Sequence, residues 1–113
     1  MRYQDLTVWQ KSMQLVDEIY TIASGFPEEE RFCLLSQMIR SAVSVPSNIA
    51  EGSGRATGKE CLRFLSIARG SLYEFTTQLL IAERRHYCIV SEELKTLTNE
   101  IAKMLTRMMR RKV

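Results

Sequence analysis

Apolar residues recur every three or four positions along most of the chain, which is the spacing of one face of an α-helix. Only two prolines and five glycines interrupt 113 residues, and this favours long helices over many short strands. Four helical stretches follow one another with short connections. The pattern predicts an all-α fold, an antiparallel up-down four-helix bundle that forms a single domain over residues 1–113.

The second, third and fourth stretches each carry one clear apolar line, and each line is expected to face the core of the bundle. The three lines are Leu35, Met38, Ile39, Ala42, Val45 and Ile49; Leu62, Leu65, Ala68, Leu72, Phe75, Leu79 and Ala82; and Leu94, Leu97, Ile101, Met104, Leu105 and Met108.

Residues typical of helix ends set the expected boundaries. Asp5 and Ser91 are predicted N-caps of the first and fourth helices. Pro27 is predicted at the first position of the second helix, where a missing backbone N–H costs nothing. Thr57 followed by Glu60 is a capping box, so the third helix is expected to begin there.

The first helix carries two apolar stripes instead of one. Its expected core line is Leu6, Trp9, Met13, Val16, Tyr20 and Ala23, and a second stripe on the neighbouring face is Val8, Leu15 and Ile22, with Ile19 beside it. The combined arc covers more than half of the helix, whereas packing on one side needs only about 100°. Either this helix lies deep inside the bundle, or another subunit also covers it.

Polar residues interrupt the apolar pattern of the second and third helices. Their spacing places the residues of each helix on a shared face, and Gly70 in the third helix is expected to allow close backbone approach. An inter-helix polar network is predicted, because buried polar groups require partners; a binding site is the alternative. The residues concerned are Asn48, Glu51, Arg63, Ser71 and Glu74.

Positive charge is concentrated in the second half of the chain. Residues 1–60 contain six Lys and Arg against eight Asp and Glu, whereas residues 61–113 contain ten against five. This asymmetry points to an anionic partner, and the candidate phosphate-binding residues are Arg55, Lys59, Arg63, Lys103, Arg107, Arg110 and Arg111. The alternative is that the basic stripe of the fourth helix is an ordinary solvated face that complements the helix dipole.

No catalytic or metal-binding pattern is complete. Gly52–Lys59 resembles a phosphate-binding loop, but a helix precedes it and Glu60 replaces the hydroxyl that would bind magnesium. Glu83 and His86 supply half of a di-iron motif, which needs a second histidine that the chain lacks. Some helical ribonucleases carry an arginine before the histidine with a spacer of four to six residues, but those positions are Leu79, Leu80 and Ile81 in this chain. We therefore expect no enzymatic activity and no cofactor.

Cysteine usage and hydropathy indicate the compartment. Cys33, Cys61 and Cys88 lie far apart with no C-x-x-C pair, which is typical of buried, reduced thiols in a cytosolic protein. Neither a signal peptide nor an apolar run long enough to span a membrane is recognisable. The sequence therefore predicts a cytoplasmic protein without a membrane partner.

Four ordered segments resemble one bacterial family of small helical bundles. They read D-L-T-V-W-Q from Asp5, F-P-E-E-E from Phe26, S-V-P-S-N-I-A-E-G from Ser44 and F-L-S-I-A-R-G-S-L-Y-E from Phe64. Together they are similar to the intervening-sequence proteins of 23S ribosomal RNA genes and, more distantly, to the accessory protein of diversity-generating retroelements. The resemblance implies an up-down bundle that assembles as a ring, typically a homopentamer, with a basic surface that meets RNA.

Two functional hypotheses follow. The first is a non-enzymatic, homo-oligomeric protein that binds RNA or another nucleic acid through its basic surface. The second is a protein-interaction module that docks a partner such as a reverse transcriptase and leaves nucleic acid to that partner. A continuous basic surface would favour the first, and isolated basic spots beside an exposed apolar patch would favour the second.

Overall fold

The computed structural model describes residues 2–112 and contains four α-helices. These are α1 (Thr7–Ile22), α2 (Leu34–Ser53), α3 (Gly58–Arg84) and α4 (Glu92–Lys112), with short 3-10 helices at Tyr3–Asp5, Ala23–Gly25 and Glu28–Glu30. No strand occurs within the described residues. The all-α prediction is confirmed.

Each helix packs against its neighbours in sequence, and α1 closes the arrangement by packing against α4. The α2–α3 pair forms the most extensive contact. Short connections make consecutive helices antiparallel, so the chain forms an up-down bundle. None of the described helices is long and apolar enough to span a lipid bilayer.

The core is built from the predicted apolar lines of α2, α3 and α4. Most members of these lines are buried, and four lie at the edge as half-buried residues: Ile39, Leu62, Met104 and Met108. The largest fully buried side chain is that of Phe75 on α3. Burial of a complete apolar side chain stabilises a fold by about 1.5–3 kcal/mol, so these lines are the main source of stability.

The predicted core line of α1 is wrong in part. Its buried apolar positions are Val8 and Leu15 of the second stripe and Ile19 beside it, with Ser12 between them, whereas Ile22 of the second stripe is half-buried. Met13 and Tyr20 are exposed, the latter by 57%. Two stripes on adjacent faces of a helix cannot both face the core of one bundle. In this chain the face with Val8 packs into the core.

The predicted caps of α3 and α4 are present. Thr57 Oγ1 accepts a hydrogen bond from Glu60 N (3.1 Å), and Ser91 Oγ accepts one from Leu94 N (3.1 Å). Asp5 differs from its prediction, because it belongs to a 3-10 helix and Leu6 occupies the N-cap position of α1.

The start of α2 also differs from its prediction. Pro27 precedes a 3-10 helix at Glu28–Glu30, and α2 begins only at Leu34. The Glu30 carboxylate accepts a hydrogen bond from Leu34 N (3.2 Å), so a side chain from the preceding turn satisfies this first-turn donor.

Gly52, and not Gly70, lies at the close approach of α2 and α3. A Cβ atom on Gly52 would lie 3.2 Å from the Cβ of Phe64 and 3.3 Å from the carbonyl oxygen of Cys61. Gly70 is exposed, and no described atom lies within 4 Å of the corresponding position. The expectation for Gly70 is therefore wrong, because the face that it shares with Arg63 points away from α2.

Candidate nucleic-acid interface

A groove with basic walls runs between α3 and α4 on the outside of the bundle. Its wider part has a volume of about 1080 Å³ and is lined by Lys59, Arg63 and Arg69 of α3 and by Thr106 and Arg110 of α4. Leu62 and Met109 supply an apolar floor. Glu60 is the one carboxylate that lines this groove in the described part of the chain.

The groove continues along α4 into a narrower recess of about 340 Å³. Thr106 and Arg110 line both parts, and the recess adds Lys103 and Arg107 from α4 and Tyr73 from α3. From residue 59 to residue 73, α3 extends about 21 Å at 1.5 Å per residue. The folded chain thus joins two basic sets that are separate in the sequence.

Helical spacing places these cations on the walls. Lys59 and Arg63 are four residues apart on α3, and Lys103, Arg107 and Arg110 follow at four and three residues on α4. All five are exposed. Like charges at such spacings destabilise an isolated helix by about 0.2–0.5 kcal/mol per pair. Arg110 lies in the last turn of α4, where the helix dipole offsets part of this cost, whereas Lys59 lies in the first turn of α3 and has no such compensation.

Arg69 fixes the distance between the two walls. Its Nη1 donates a hydrogen bond to Thr106 Oγ1 across the groove (3.2 Å), and both side chains are half-buried. The sequence alone did not single out Arg69, because it lies away from the outward face of α3 that carries Arg63. Arg69 lies between apolar positions of α3, and a cation in such a place was the feature that could have predicted its role.

The other two predicted cations lie outside the groove. Arg55 Nη2 donates to a Glu51 carboxylate oxygen at 2.7 Å, and its guanidinium lies 4.5 Å from the centroid of the Phe64 ring. It lines an adjacent recess that shares only Thr57 with the wider part of the groove. Arg111 is exposed on α4 and does not line either part.

Of the five residues in the predicted inter-helix polar network, the structure links two, Asn48 and Ser71, through Ser44. Ser71 Oγ lies 2.8 Å from Ser44 Oγ of α2, and Asn48 donates to Ser44 Oγ at 2.9 Å. Glu51, Arg63 and Glu74 do not join it within the described residues, because all three are exposed. Their faces turn towards solvent, where carboxylates and guanidinium groups keep their hydration.

A buried pair that the sequence reasoning missed completes the α2–α3 contact. Ser41 Oγ donates to Gln78 Oε1 at 2.7 Å, and both side chains are buried. Ser41 precedes Asn48 by seven residues, and Gln78 follows Ser71 by seven. A spacing of seven residues is about two helical turns, so each of these residues lies on the same helix face as a predicted one. That spacing was the signal that could have predicted the pair. These polar groups are satisfied structural contacts between helices.

The opposite side of α4 carries the opposite charge. A recess between α1 and α4 is lined by one cation, Lys11, whose Nζ lies 3.2 Å from a Glu100 carboxylate oxygen. Its other charged residues are Asp17, Glu18, Glu92 and Glu93. Polyanions are repelled from this side, so an anionic ligand has one favourable groove beside α4.

The single histidine terminates α3. His86 has a φ of 64°, and its N–H donates to Glu83 O while Tyr87 N–H donates to Ala82 O, at 3.0 and 2.9 Å. This pair of bonds is a Schellman cap, whose left-handed residue is usually glycine. The Tyr87 ring packs on Phe26, with 5.5 Å between centroids. His86 therefore has a structural explanation.

The expectation of buried thiols is wrong in part, because only Cys61 is buried, whereas Cys88 is half-buried and Cys33 is exposed. The Cys88 thiol, close to His86, is not activated. Burial raises the pKa of Cys88, and the negative charge of Glu83 raises it further, so the thiol stays protonated at neutral pH. Across residues 2–112, no group of three or more histidine, cysteine or carboxylate side chains is arranged to hold a metal ion.

Comparison with known proteins agrees with this architecture. Residues 4–107 match the model of the 23S rRNA-intervening sequence protein family. The chain belongs to this family. The family resemblance carried by the four sequence segments is thereby confirmed.

A solved structure shares the fold. It is the crystal structure of a protein of unknown function from the S23 ribosomal protein family of Bacteroides thetaiotaomicron, with a TM-score of 0.79. The alignment covers 97% of this chain and 99% of that chain at 24% sequence identity. No curated protein matches this family member.

Proposed function

We propose that this family member is a non-enzymatic, homo-oligomeric nucleic-acid-binding protein whose α3–α4 groove holds the phosphate backbone of RNA. The observation that carries the proposal is the convergence of six cationic side chains on one groove, against one carboxylate. The cations are Lys59, Arg63, Arg69, Lys103, Arg107 and Arg110.

The dimensions of the groove suit a strand of nucleic acid. A groove about 21 Å long can hold a short stretch of a single strand, with several phosphates beside its cations. The five exposed cations are free to approach phosphates, while Arg69 holds the walls together through Thr106. The acidic α1–α4 recess on the other side of α4 would direct a polyanion to this groove.

An exposed apolar band supports self-association. Trp9, Met13, Val16 and Tyr20 follow one face of α1, and all are half-buried or exposed. Val43, on the neighbouring helix α2, is also exposed. A second copy of the chain that covered this band would remove apolar surface from water, at about 25 cal/mol per Å². A closed ring, with a pentamer as the expected size, is the assembly proposed.

The residues that most often perform chemistry have other roles in this chain, which supports a binding function without catalysis. His86 terminates α3, and Cys88 is a protonated, half-buried thiol. The Glu51 carboxylate is paired with Arg55 on the surface.

A matched pair of triple variants tests the groove. Lys103, Arg107 and Arg110 are replaced by Gln in one variant; Arg31, Arg40 and Arg84, three exposed arginines outside the groove, are replaced by Gln in the control. Both variants lose three positive charges. Binding to a fluorescent single-stranded RNA is measured by anisotropy at low salt, and folding by circular dichroism.

The groove variant is expected to bind at least about tenfold more weakly than the control, because it loses three phosphate contacts and not only net charge. Equal affinities of the two variants would show that the groove is not the site.

Protein docking is the second candidate, and two side chains at the other end of the bundle favour it. Phe32 is 84% exposed in the α1–α2 connection, and Ile89 is 88% exposed in the α3–α4 connection. If the two side chains form part of one apolar patch, that patch would mark a protein contact. Under this hypothesis the isolated chain binds no RNA, and Phe32→Ser with Ile89→Ser abolishes binding to a partner protein such as a reverse transcriptase.

A further inference from the structure

Tyr73 is an exposed aromatic side chain within the basic groove. It is 52% exposed and lines the narrow recess together with Lys103, Arg107 and Arg110. It comes from α3, whereas these cations belong to α4. The sequence of α4 places no aromatic residue beside its basic stripe. Tyr73 comes close to these cations only because α3 packs against α4.

The bundle itself makes little use of the Tyr73 ring. It lies on the exposed side of α3, away from the buried line that includes Leu72 and Phe75. About half of the side chain is therefore available to a ligand in the groove.

The neighbourhood of Tyr73 has the composition of a base-stacking site. Proteins hold single strands by placing cations along the backbone and aromatic rings under the bases. Here the ring shares one recess with three exposed cations, so a phosphate and its own base could be held together. Unpaired bases offer a free face, whereas bases in a duplex are already stacked and lie inside an A-form helix.

We infer that Tyr73 is the floor of a nucleobase subsite, and that the groove therefore selects single-stranded RNA over duplex RNA. The inference rests on the proposed function, because the cations must first hold the backbone. It predicts little discrimination among bases, since stacking on a ring uses the face common to all of them. The phenol hydroxyl is not required for stacking.

The test compares three probes of equal length, each roughly 12 nucleotides to span the groove. They are a fluorescent oligouridylate, an abasic strand with the same sugar-phosphate backbone, and an RNA duplex. Each probe is titrated with the wild-type protein and with Tyr73→Leu, Tyr73→Phe and the Lys103, Arg107 and Arg110 triple variant. Light scattering records the assembly state of every variant.

Tyr73→Leu is expected to weaken oligouridylate binding by about 5- to 150-fold, the range for loss of one stacked base. Its affinities for the abasic strand and the duplex are expected to stay within about twofold of wild type, and its mass unchanged. Tyr73→Phe is expected to bind all three probes like wild type. The triple variant is expected to bind all three more weakly, because it removes phosphate contacts.

Two different failures are distinguishable. If the wild-type protein binds the oligouridylate and the abasic strand equally, and Tyr73→Leu changes neither, the base subsite is refuted while backbone binding stands. If the wild-type protein binds no probe, the proposed function is refuted together with this inference. A Tyr73→Leu variant with an altered mass would make Tyr73 a subunit contact and overturn the base subsite.

Discussion

Gly52 and Gly70 show how differently one residue type can act in neighbouring helices. Gly52 is buried where α2 meets α3, and a methyl group there would press on Phe64 and on the carbonyl of Cys61. Gly70 is exposed on α3 and meets no described atom within 4 Å. Glycine in a helix interior costs about 1 kcal/mol relative to alanine, so each position can be tested by that substitution.

Gly70→Ala is expected to raise the free energy of unfolding by about 0.5–1 kcal/mol, because it adds helix propensity without a clash. Gly52→Ala is expected to lower the free energy of unfolding by about 1 kcal/mol. Overpacking costs about 1–3 kcal/mol, which exceeds the gain in helix propensity. Urea unfolding followed by circular dichroism measures both. A destabilised Gly70→Ala variant would contradict an open surface at this position.

Features that depend on one or two nearby residues could be predicted from the sequence. The caps at Thr57 and Ser91 are of this kind, since the hydroxyl oxygen that accepts and the backbone N–H that donates lie three residues apart. The orientation of a helix face could not be predicted in the same way. Arg63 and Glu74 share a face by spacing, but only the packing of α3 on α2 decides that this face meets water.

At the scale of elements, the α2–α3 contact combines the apolar core with a line of small polar residues. The line consists of the Ser44–Ser71 and Ser41–Gln78 hydrogen bonds at 2.8 and 2.7 Å. A buried hydrogen bond contributes about 0.5–1.5 kcal/mol net, and an orphaned partner costs more. An exposed ion pair contributes about 0–1 kcal/mol.

Gln78→Ala is therefore expected to lower the free energy of unfolding by about 2 kcal/mol, from the lost bond to Ser41 and the space left behind. Glu51→Ala and Arg63→Ala, on the surface of the same helix pair, are expected to change it by less than about 0.5 kcal/mol. Thermal and urea unfolding of the three variants test this order. If all three variants were equally destabilised, Glu51 and Arg63 would belong to the inter-helix polar network after all.

The first helix marks the limit of pattern reasoning at this scale. Helices α3 and α4 each carry one apolar line, so their buried faces could be predicted. The stripe of α1 at Val8, Leu15 and Ile19 entered the core, and the stripe at Met13 and Tyr20 did not. Both have helical periodicity, and only the packing of α1 against α2 and α4 selects between them.

At the scale of the whole molecule, the charges are separated around α4. The α3–α4 groove is basic, whereas the recess between α1 and α4 is acidic. The basic stripe on α4 was predicted from the sequence. That it faces the cations of α3 across one groove was not, because the two walls come from segments that are distant in the sequence. Whether this groove binds RNA stays a prediction, as does the assembly of the chain.

The exposed apolar band on α1 predicts an oligomer in solution. Light scattering after size exclusion is expected to give about five times the 13.1 kDa mass of the chain at micromolar concentration. Met13→Glu with Tyr20→Glu is expected to reduce this mass, because two charges would be buried without partners. Gln14→Glu with Asp17→Asn, on the exposed side of α1, is a charge-neutral control. A wild-type monomer would contradict the proposed ring.

The salt dependence of RNA binding tests the central claim most directly. If five exposed cations per subunit contact a single strand, log K falls with log salt at a slope of about −3.5 per subunit, from about −0.7 per contact. Removal of the α3 wall by Lys59→Gln with Arg63→Gln should flatten the slope by about 1.4, and removal of the α4 wall by Lys103→Gln, Arg107→Gln and Arg110→Gln by about 2.1. Slopes that neither wall variant changes would contradict a phosphate-binding groove between α3 and α4.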